Sequence, residues 1–212
     1  MKRIFIFLFL LLFISIGQAQ FNSGACFKSQ YVIKGIQLCA TPTIGGYLEY
    51  STKNFIANIT ADASISERFS ENTVTFAWSL VNDGSIWLCD YYYPYPANKY
   101  GNFANKNLGA HFIEIGGRYN YAGFEFMATG NVYNDTTHSK YLQINRIIRL
   151  PAESGQLSFF IGAAIGKAFF YNTEKGLHVI NVGMSHQYKK LVVTYYVNPT
   201  AEESSVIVTY NL

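Results

Sequence analysis

From about residue 26 to the last residue, hydrophobic and polar side chains alternate in short runs separated by turn-forming residues. A period of two is that of a β-strand, whose successive side chains point to opposite faces. Asp83-Gly84, between two such runs, is a strong hairpin signal. The pattern predicts an all-β protein with about twelve strands, at residues 27–36, 43–50, 54–62, 72–80, 85–93, 109–119, 121–130, 140–149, 156–165, 177–186, 190–197 and 204–212.

Most predicted strands have one apolar and one polar face. In the run 72–80 the apolar face carries Val74, Phe76, Trp78 and Leu80, with Thr73 and Thr75 opposite. A soluble β-sandwich would bury such apolar faces, whereas a membrane barrel turns them toward lipid and keeps polar residues inside. Short and long connections alternate along the chain, which is typical of outer-membrane barrels and would place both termini in the periplasm. We therefore expect a transmembrane antiparallel β-barrel.

The N-terminus has the features of an export signal. Met-Lys-Arg is followed by an unbroken apolar run over residues 4–16, with small residues at Gly17 and Ala19. A run of this length is short of the roughly 20 residues that a membrane-spanning helix needs. The sequence predicts a cleaved signal peptide at residues 1–19 and a mature barrel domain at residues 20–212.

Composition agrees with a barrel that faces lipid. Aromatic residues make up 17% of the chain and charged residues only 14%, against roughly 25% charged residues in soluble domains. Part of the net charge of +3 comes from Lys2 and Arg3 in the predicted signal. We expect outer-membrane lipid as the surroundings and no nucleic-acid partner.

The three cysteines are Cys26, Cys39 and Cys89. An odd number in an exported protein leaves at least one free thiol or an intermolecular bond. Cys26 and Cys39 could pair, and the sequence does not decide whether they do. Lipid attachment at Cys26 is not expected, because the segment 23–26 lies far beyond the apolar run and lacks the usual apolar residue three positions before the cysteine.

Three stretches, at residues 29–50, 90–96 and 112–119, resemble the TorF-like family of porin-type outer-membrane proteins, whose functions are largely unknown. The first stretch has an aromatic strand, a basic residue before glycine, a proline-containing loop and a glycine-rich strand, carried here by Tyr31, Lys34, Gly35, Pro42, Gly45 and Gly46. The resemblance implies a barrel of about this strand number and at most passive transport. Family members usually carry Arg where Lys34 stands. Many barrels also end on an aromatic residue that the barrel assembly machinery recognises, whereas this chain ends Tyr210-Asn211-Leu212.

Charged residues on predicted inner faces are the candidate functional groups. Alternation places seven of them toward the lumen: Lys34, Glu49, Asp90, Glu114, Arg118, Glu125 and Arg146. Opposed acids and bases could set a field across a narrow channel that selects small solutes, or they could pair and plug it. A separate aromatic cluster, formed by Tyr91, Tyr92, Tyr93 and Tyr95, could be a carbohydrate platform, but is interpreted as a membrane-interface girdle reaching into a loop.

Enzymatic and cofactor-binding functions have weaker support. The four histidines are not at metal-binding spacing with a second ligand, and the Gly116-Gly117 pair lacks the following helix and Lys-Ser/Thr of a nucleotide loop. A barrel phospholipase would need Ser and His on adjacent strands, for which Ser158 and His178 are the pair to consider. We expect passive diffusion of small polar solutes without metal or cofactor. The alternatives are a non-conducting barrel whose loops bind a partner or surface, and a lipid-modifying enzyme.

Overall fold

The protein is described here by a computed structural model over residues 19–80, 83–94, 100–103, 110–151 and 154–212. Residues 1–18 of the predicted signal peptide lie outside these ranges. Within them, no helix is long and apolar enough to cross a membrane. The strands are β1 (Gln20–Lys28), β2 (Tyr31–Ile33), β3 (Ile36–Cys39), β4 (Thr43–Ser51), β5 (Phe55–Ser64), β6 (Ser70–Ser79), β7 (Gly84–Tyr92), β8 (His111–Tyr121), β9 (Phe124–Tyr133), β10 (Lys140–Arg149), β11 (Gln156–Ile165), β12 (Leu177–Tyr188), β13 (Leu191–Asn198) and β14 (Glu203–Asn211).

Twelve of these strands form a closed antiparallel barrel. Each pairs with its neighbours in chain order from β4 to β14, and β1 joins β14 to β4 to complete the ring. Closure gives every wall strand a neighbour on both sides, which suits strands in a membrane, where no water is present to satisfy backbone groups. The prediction of a twelve-stranded antiparallel barrel is confirmed.

The first predicted strand, residues 27–36, is wrong. The wall strand β1 ends at Lys28, and residues 31–39 form a separate hairpin of β2 and β3. Lys34 and Gly35 both have positive φ, 52° and 81°, as a tight type I′ turn requires. The basic residue before glycine is therefore a turn, not a strand interior. The start of β1 was not predicted because small residues, Ser23 and Ala25, stand between its outward Phe21 and Phe27 and weaken the alternation of large apolar and polar residues.

The barrel wall is apolar outside and polar inside. Large apolar side chains on all twelve wall strands are exposed on the outer surface, for example Phe27, Leu48, Ile59, Phe76, Leu88, Ile115, Phe126, Ile144, Ile161, Met184, Tyr195 and Val206. Inward positions on the same strands bury polar groups such as Thr43, Glu71, Glu114 and Asn181. This is the reverse of a soluble protein and the arrangement of a barrel that sits in a membrane.

The two ends of the barrel differ. The end called here the turn end carries the termini of the wall and the short connections 52–54, 80–83, 122–123, 150–155 and 189–190. The opposite end, the loop end, carries the connections 29–42, 65–69, 93–110, 134–139, 166–176 and 199–202. The loop-end connections are mostly the longer ones, as the sequence predicts, although 199–202 is shorter than 150–155 at the turn end.

A cluster of buried apolar residues lies inside the lumen at the loop end. There Ala168 and Tyr171, from connection 166–176, pack against Tyr141 and Ile180 of the wall. Ile36, from the hairpin, packs against the same cluster. The loop-end half of the lumen is thus occupied by two segments that fold inward, the hairpin and connection 166–176.

Candidate functional site

The tip of the inward hairpin is bound to two sides of the barrel wall. Lys34 Nζ forms an ion pair with the Glu114 carboxylate on β8 and lies 3.1 Å from Thr129 Oγ1. On the other side, the Gly35 carbonyl accepts a hydrogen bond of 3.1 Å from Asn198 Nδ2 on β13. Strands β8 and β13 lie nearly opposite each other in the ring. The hairpin therefore spans the lumen.

Further contacts fix the side of the hairpin. The Tyr31 hydroxyl donates to Glu71 Oε1 on β6 at 2.6 Å, and Thr73 Oγ1 donates to the same oxygen at 3.1 Å. Lys28 Nζ lies 4.5 Å from the centre of the Tyr31 ring and pairs with Asp62 at 2.6 Å. Cation–aromatic and charge-assisted contacts are stronger where water is excluded. The hairpin is held by ionic and hydrogen-bonded contacts as well as by apolar packing.

The base of the hairpin lies against β14. Strands β1 and β14 pair over three positions, where Cys26, Phe27 and Lys28 face Asn211, Tyr210 and Thr209. Closer to the loop end the chain has left β1, and the Ser29 amide donates to the Val208 carbonyl at 2.9 Å. Gln30 Nε2 then donates to the Val206 carbonyl at 2.9 Å. A side-chain amide thus replaces a strand partner along this part of the seam.

The hairpin divides the lumen without filling it. A cavity of about 340 Å³ lies between the hairpin and the wall that contains Asn181, Thr194 and Thr209. A second cavity of about 450 Å³ lies on the other side, lined by residues that include Thr75, Trp87, Arg118 and Glu125. Tyr31 and Ile33 of the hairpin line both. Space lined in part by polar groups therefore remains on each side of the hairpin.

The predicted lumen charges fall into separate groups. Lys34 and Glu114 come together in the loop-end half, as described above. Nearer the turn end, Arg118 Nη1 lies 3.7 Å from Glu125 Oε2. Glu49 also faces the lumen, where Asn58 Nδ2 donates to it at 3.5 Å. The structure joins Lys34 to Glu114 and Arg118 to Glu125, but it does not place all of these groups in one continuous ion-pair network.

The prediction that Asp90 faces the lumen is wrong. Asp90 lies on the outer face of β7 together with Ile86 and Leu88, and its carboxylate contacts His111 Nδ1 at 2.9 Å. Phe103 stacks on the His111 ring with centroids 3.9 Å apart. The outward charge is tolerated because it lies near the loop end, paired with a histidine that aromatic rings cover.

The prediction that Arg146 faces the lumen is also wrong. Its guanidinium lies over the outward-facing ring of Phe124, 4.7 Å from the centroid, and donates to the Ala122 carbonyl at 2.7 Å. This places it on the outer face beside the turn 122–123. A long cationic side chain can bind an aromatic ring and a backbone carbonyl at the edge of an apolar surface while its charge remains close to water.

The predicted tyrosine cluster is split by the strand alternation. Tyr92 is on the outer face and stacks on His111, with centroids 4.9 Å apart. Tyr91 points into the lumen, where its hydroxyl lies 3.4 Å from Glu114 Oε1, and Tyr93 packs edge-on against the inward Phe112 at 5.9 Å. An outer girdle is therefore wrong for Tyr91 and Tyr93, because consecutive strand residues face opposite ways. Tyr95 lies outside the described residues.

Sequence reasoning missed three residues that position the hairpin, Lys28, Tyr31 and Glu71. Glu71 stands one residue before the predicted strand 72–80. It would have been found by starting the strand earlier, because Glu71 continues the polar face that carries Thr73 and Thr75. Lys28 and Tyr31 were hidden by the incorrect first strand. The signal in the sequence is the Lys34-Gly35 pair: assigning it to a turn would have distinguished the hairpin residues 31–39 from the wall strand β1.

Cysteine and histidine chemistry is limited in the described part of the chain. Cys26, Cys39 and Cys89 are all free thiols, and Cys39 and Cys89 are buried. Among the described residues, no group of three or more His, Cys, Asp or Glu is arranged to hold a metal ion. Ser158 stands opposite Ser185, whereas His178 stands opposite Ala164. That is six residues further along β11, or about 20 Å at the usual strand rise. Ser158 and His178 therefore do not form a catalytic pair.

At the loop end, Asp135 organises the contact between two connections. Its carboxylate accepts hydrogen bonds from the Ser139 amide at 3.0 Å, the Thr137 hydroxyl at 2.7 Å and Asn131 Nδ2 at 3.1 Å. Burial raises the pKa of this carboxyl, but the hydrogen bonds outweigh burial and hold the pKa below its usual value. The Thr137 hydroxyl in turn accepts from the Phe169 amide at 2.8 Å. Asp135 thus supports connection 166–176, which covers the lumen.

No family model matches the chain, and no curated protein matches it. Similar chains are found among solved structures. One is described as "Unveiling the Mechanism Behind the in-meso Crystallization of Membrane Proteins". It aligns with a TM-score of 0.47 and 11% sequence identity, covering 91% of this chain and 83% of that chain. We therefore infer function from the lumen geometry of this chain.

Proposed function

We propose that this protein is an outer-membrane diffusion channel for small polar solutes, narrowed by the inward hairpin. The outward apolar surface and the export signal predicted at residues 1–19 support a location in the outer membrane. In this proposal the turn end and both termini face the periplasm and the loop end faces outward, as is usual for such barrels. The partners are outer-membrane lipid, the solute and, during biogenesis, the barrel assembly machinery. No catalytic role and no cofactor are assigned.

The observation that carries the proposal is the space on both sides of the hairpin. A barrel that served only as a scaffold would gain stability by filling its lumen, because an unfilled interior loses packing. Here cavities of about 340 Å³ and 450 Å³ flank the hairpin. Both expose polar groups, which favours water and small polar solutes as their contents. The resemblance to the TorF-like porin family supports the same function.

The direct test is conductance in planar bilayers and swelling of liposomes with solutes of graded size, using the mature chain 20–212. We expect small conductance steps for the natural sequence. Glu114→Gln removes the charge that holds Lys34, and should enlarge the steps because the tip loses its ionic contact. Glu202→Gln, at an exposed position in connection 199–202, is the matched control and should leave conductance unchanged.

A second variant keeps the test decisive. Replacing residues 30–41 by a flexible Gly-Ser linker removes the hairpin and should give the largest conductance of the series. The channel proposal would be contradicted if the natural protein never conducted while the hairpin-deleted variant did. Absence of conductance from both would contradict it as well.

One observation favours the second candidate, a non-conducting barrel that binds a partner through its loops. The hairpin is tied to opposite walls by Lys34 and Gly35 and packed through Ile36 against the loop-end cluster. A segment held this firmly could keep the lumen closed, leaving the loop end as the working surface. The conductance experiment separates the two functions.

A further inference from the structure

The larger lumen cavity contains an aromatic platform. Trp87 points inward from β7 and stands directly opposite Gly116 on β8. A Cβ atom at position 116 would overlap several atoms of the Trp87 indole, so glycine allows the ring to lie over the neighbouring backbone. Trp87 is only partly buried and lines the cavity of about 450 Å³. A broad apolar surface is thus available to a solute in this cavity.

A pair of opposite charges lies beside this platform. Arg118 and Glu125 approach to 3.7 Å, and the Arg118 side chain is 52% exposed. Ser85 accepts from Arg118 Nε at 2.9 Å and Asn145 donates to Glu125 at 2.7 Å, so both groups are oriented by neighbours. Arg118 is two residues from Gly116 on the same face of β8, a spacing of about 7 Å. The charged pair and the indole are therefore within reach of one small molecule.

The chemistry of these groups selects among polar solutes. The two charges largely neutralise each other, so the pair does not favour a solute with net charge. A guanidinium donates and a carboxylate accepts, which matches adjacent hydroxyls that can both donate and accept. The indole suits a molecule with one apolar face. A cyclic sugar has a C–H face and a rim of adjacent hydroxyls, and the cavity volume lies within the usual range for small-molecule sites.

We infer that the larger lumen cavity is a binding subsite for a neutral sugar ring, which stacks on Trp87 and hydrogen-bonds Arg118 and Glu125. This inference rests on the proposed channel function and names its substrate class. Binding must be weak enough for the solute to leave, as in any conducting pore. We therefore expect a Kd on the order of millimolar.

The chain offers its own reporter, because it contains two tryptophans. Trp78 faces outward and is 42% exposed, whereas Trp87 lines the cavity. In Trp78→Phe the tryptophan fluorescence comes from Trp87 alone, and Trp87→Phe is the matched control. Titration of detergent-solubilised Trp78→Phe with glucose should change the emission saturably, and the control should not respond. Glycerol, which has hydroxyls but no ring, should produce no saturable change in either variant.

Arg118→Gln, combined with Trp78→Phe, should raise the half-saturating glucose concentration about tenfold, because a charged hydrogen bond is lost. Calorimetric titration of the natural sequence with glucose provides a second measurement that needs no substitution. An absence of saturable binding by both methods would overturn the sugar subsite. Equal or tighter binding of zwitterionic alanine would overturn it too.

Failure of this inference and of the channel function can be told apart. Conductance without saturable glucose binding removes the subsite and leaves the channel. Saturable glucose binding without conductance removes the channel and retains the subsite in a closed barrel.

Discussion

Lys34 and Glu114, eighty residues apart in sequence, form an ion pair inside the barrel that joins the tip of the hairpin to the wall. Their side chains are largely buried, with 12% and 3% of their surfaces exposed. Thr129 and the ring of Tyr141, 5.7 Å from Lys34 Nζ, complete the surroundings of the ammonium group. Removing a buried charge from water is costly, so each member of such a pair depends on the other.

Lys34→Met should therefore destabilise the protein more than loss of the contact alone would suggest. The substitution leaves Glu114 buried without its cation, which typically costs about 3–5 kcal/mol. Lys34→Met combined with Glu114→Leu should recover much of this loss, because neither charge remains. Urea unfolding in lipid vesicles, followed by tryptophan fluorescence, measures the free energy of unfolding of the natural protein, of each single variant and of the double variant.

Lys53→Met, at an exposed position in the turn 52–54, is the control and should change stability by less than about 0.5 kcal/mol. Equal effects of Lys34→Met and Lys53→Met would mean that the ion pair does not hold the hairpin.

Gly35→Ala should loosen the hairpin without altering any charge. Gly35 has a φ of 81°, and an added Cβ would overlap the Ile180 carbonyl oxygen. Positive φ alone costs an alanine about 1–2 kcal/mol, and the overlap adds to this. Gly46→Ala is the matched control, because its nearest atom, the Gly24 carbonyl oxygen, is at an ordinary 3.6 Å. Limited proteolysis at residues 29–42 should accelerate in the first variant only.

The two tryptophans should report opposite environments. Trp78 packs beside Phe55 on the outer surface, with ring centroids 5.5 Å apart, whereas Trp87 lines the lumen. In vesicles made with brominated acyl chains, Trp87→Phe should lose most of its emission and Trp78→Phe should keep it. Acrylamide in the water should quench the two variants in the reverse order. Strong bromine quenching of Trp87 would contradict the assignment of inner and outer faces.

Asp135 should make the loop end sensitive to acid. Its folded-state pKa is lowered, so its carboxylate stabilises the fold fully above the unfolded pKa of about 3.9. That contribution falls as the pH drops through the lower folded-state pKa. Hydrogen-exchange protection of the Phe169 and Phe170 amides should therefore decrease below about pH 4, because their acceptors, Thr137 and Ser139, depend on Asp135.

Asp135→Asn should remove this acid sensitivity and leave the two amides weakly protected at every pH. Glu202→Gln should behave like the natural sequence. Acid-dependent protection that persists in Asp135→Asn would assign the effect to another group.

The wall was predictable where the two faces of a strand differ in chemistry. Residues 156–165 lie between clear turn signals and have large apolar residues on their outward face, and β11 has the predicted bounds. In β7 the contrast fails, because inward Trp87 and Tyr91 are as apolar as outward Ile86 and Leu88. Alternation therefore does not show which face of this strand points inward, and Asp90 is an outward residue paired with His111.

The site was less predictable because it depends on pairing between distant strands. The sequence predicts that Lys34 and Glu114 both face the lumen, but nothing local indicates that these two residues, eighty positions apart, form a pair. The prediction for Arg146 was wrong for a different reason. Its strand carries Ile147 inward as well as Ile148 outward, so polarity alone does not show which face of the strand points inward.

The seam between the first and last wall strands links closure of the barrel to the position of the hairpin. Gln30 binds the Val206 carbonyl only when the two ends of the chain have met, and Tyr31 follows it directly into the interior. Sealing the cylinder and seating the hairpin are therefore coupled events. A nascent polypeptide that has not yet joined its ends lacks the Val206 anchor for this segment, so the hairpin reaches its final position in the lumen as the ring of strands closes.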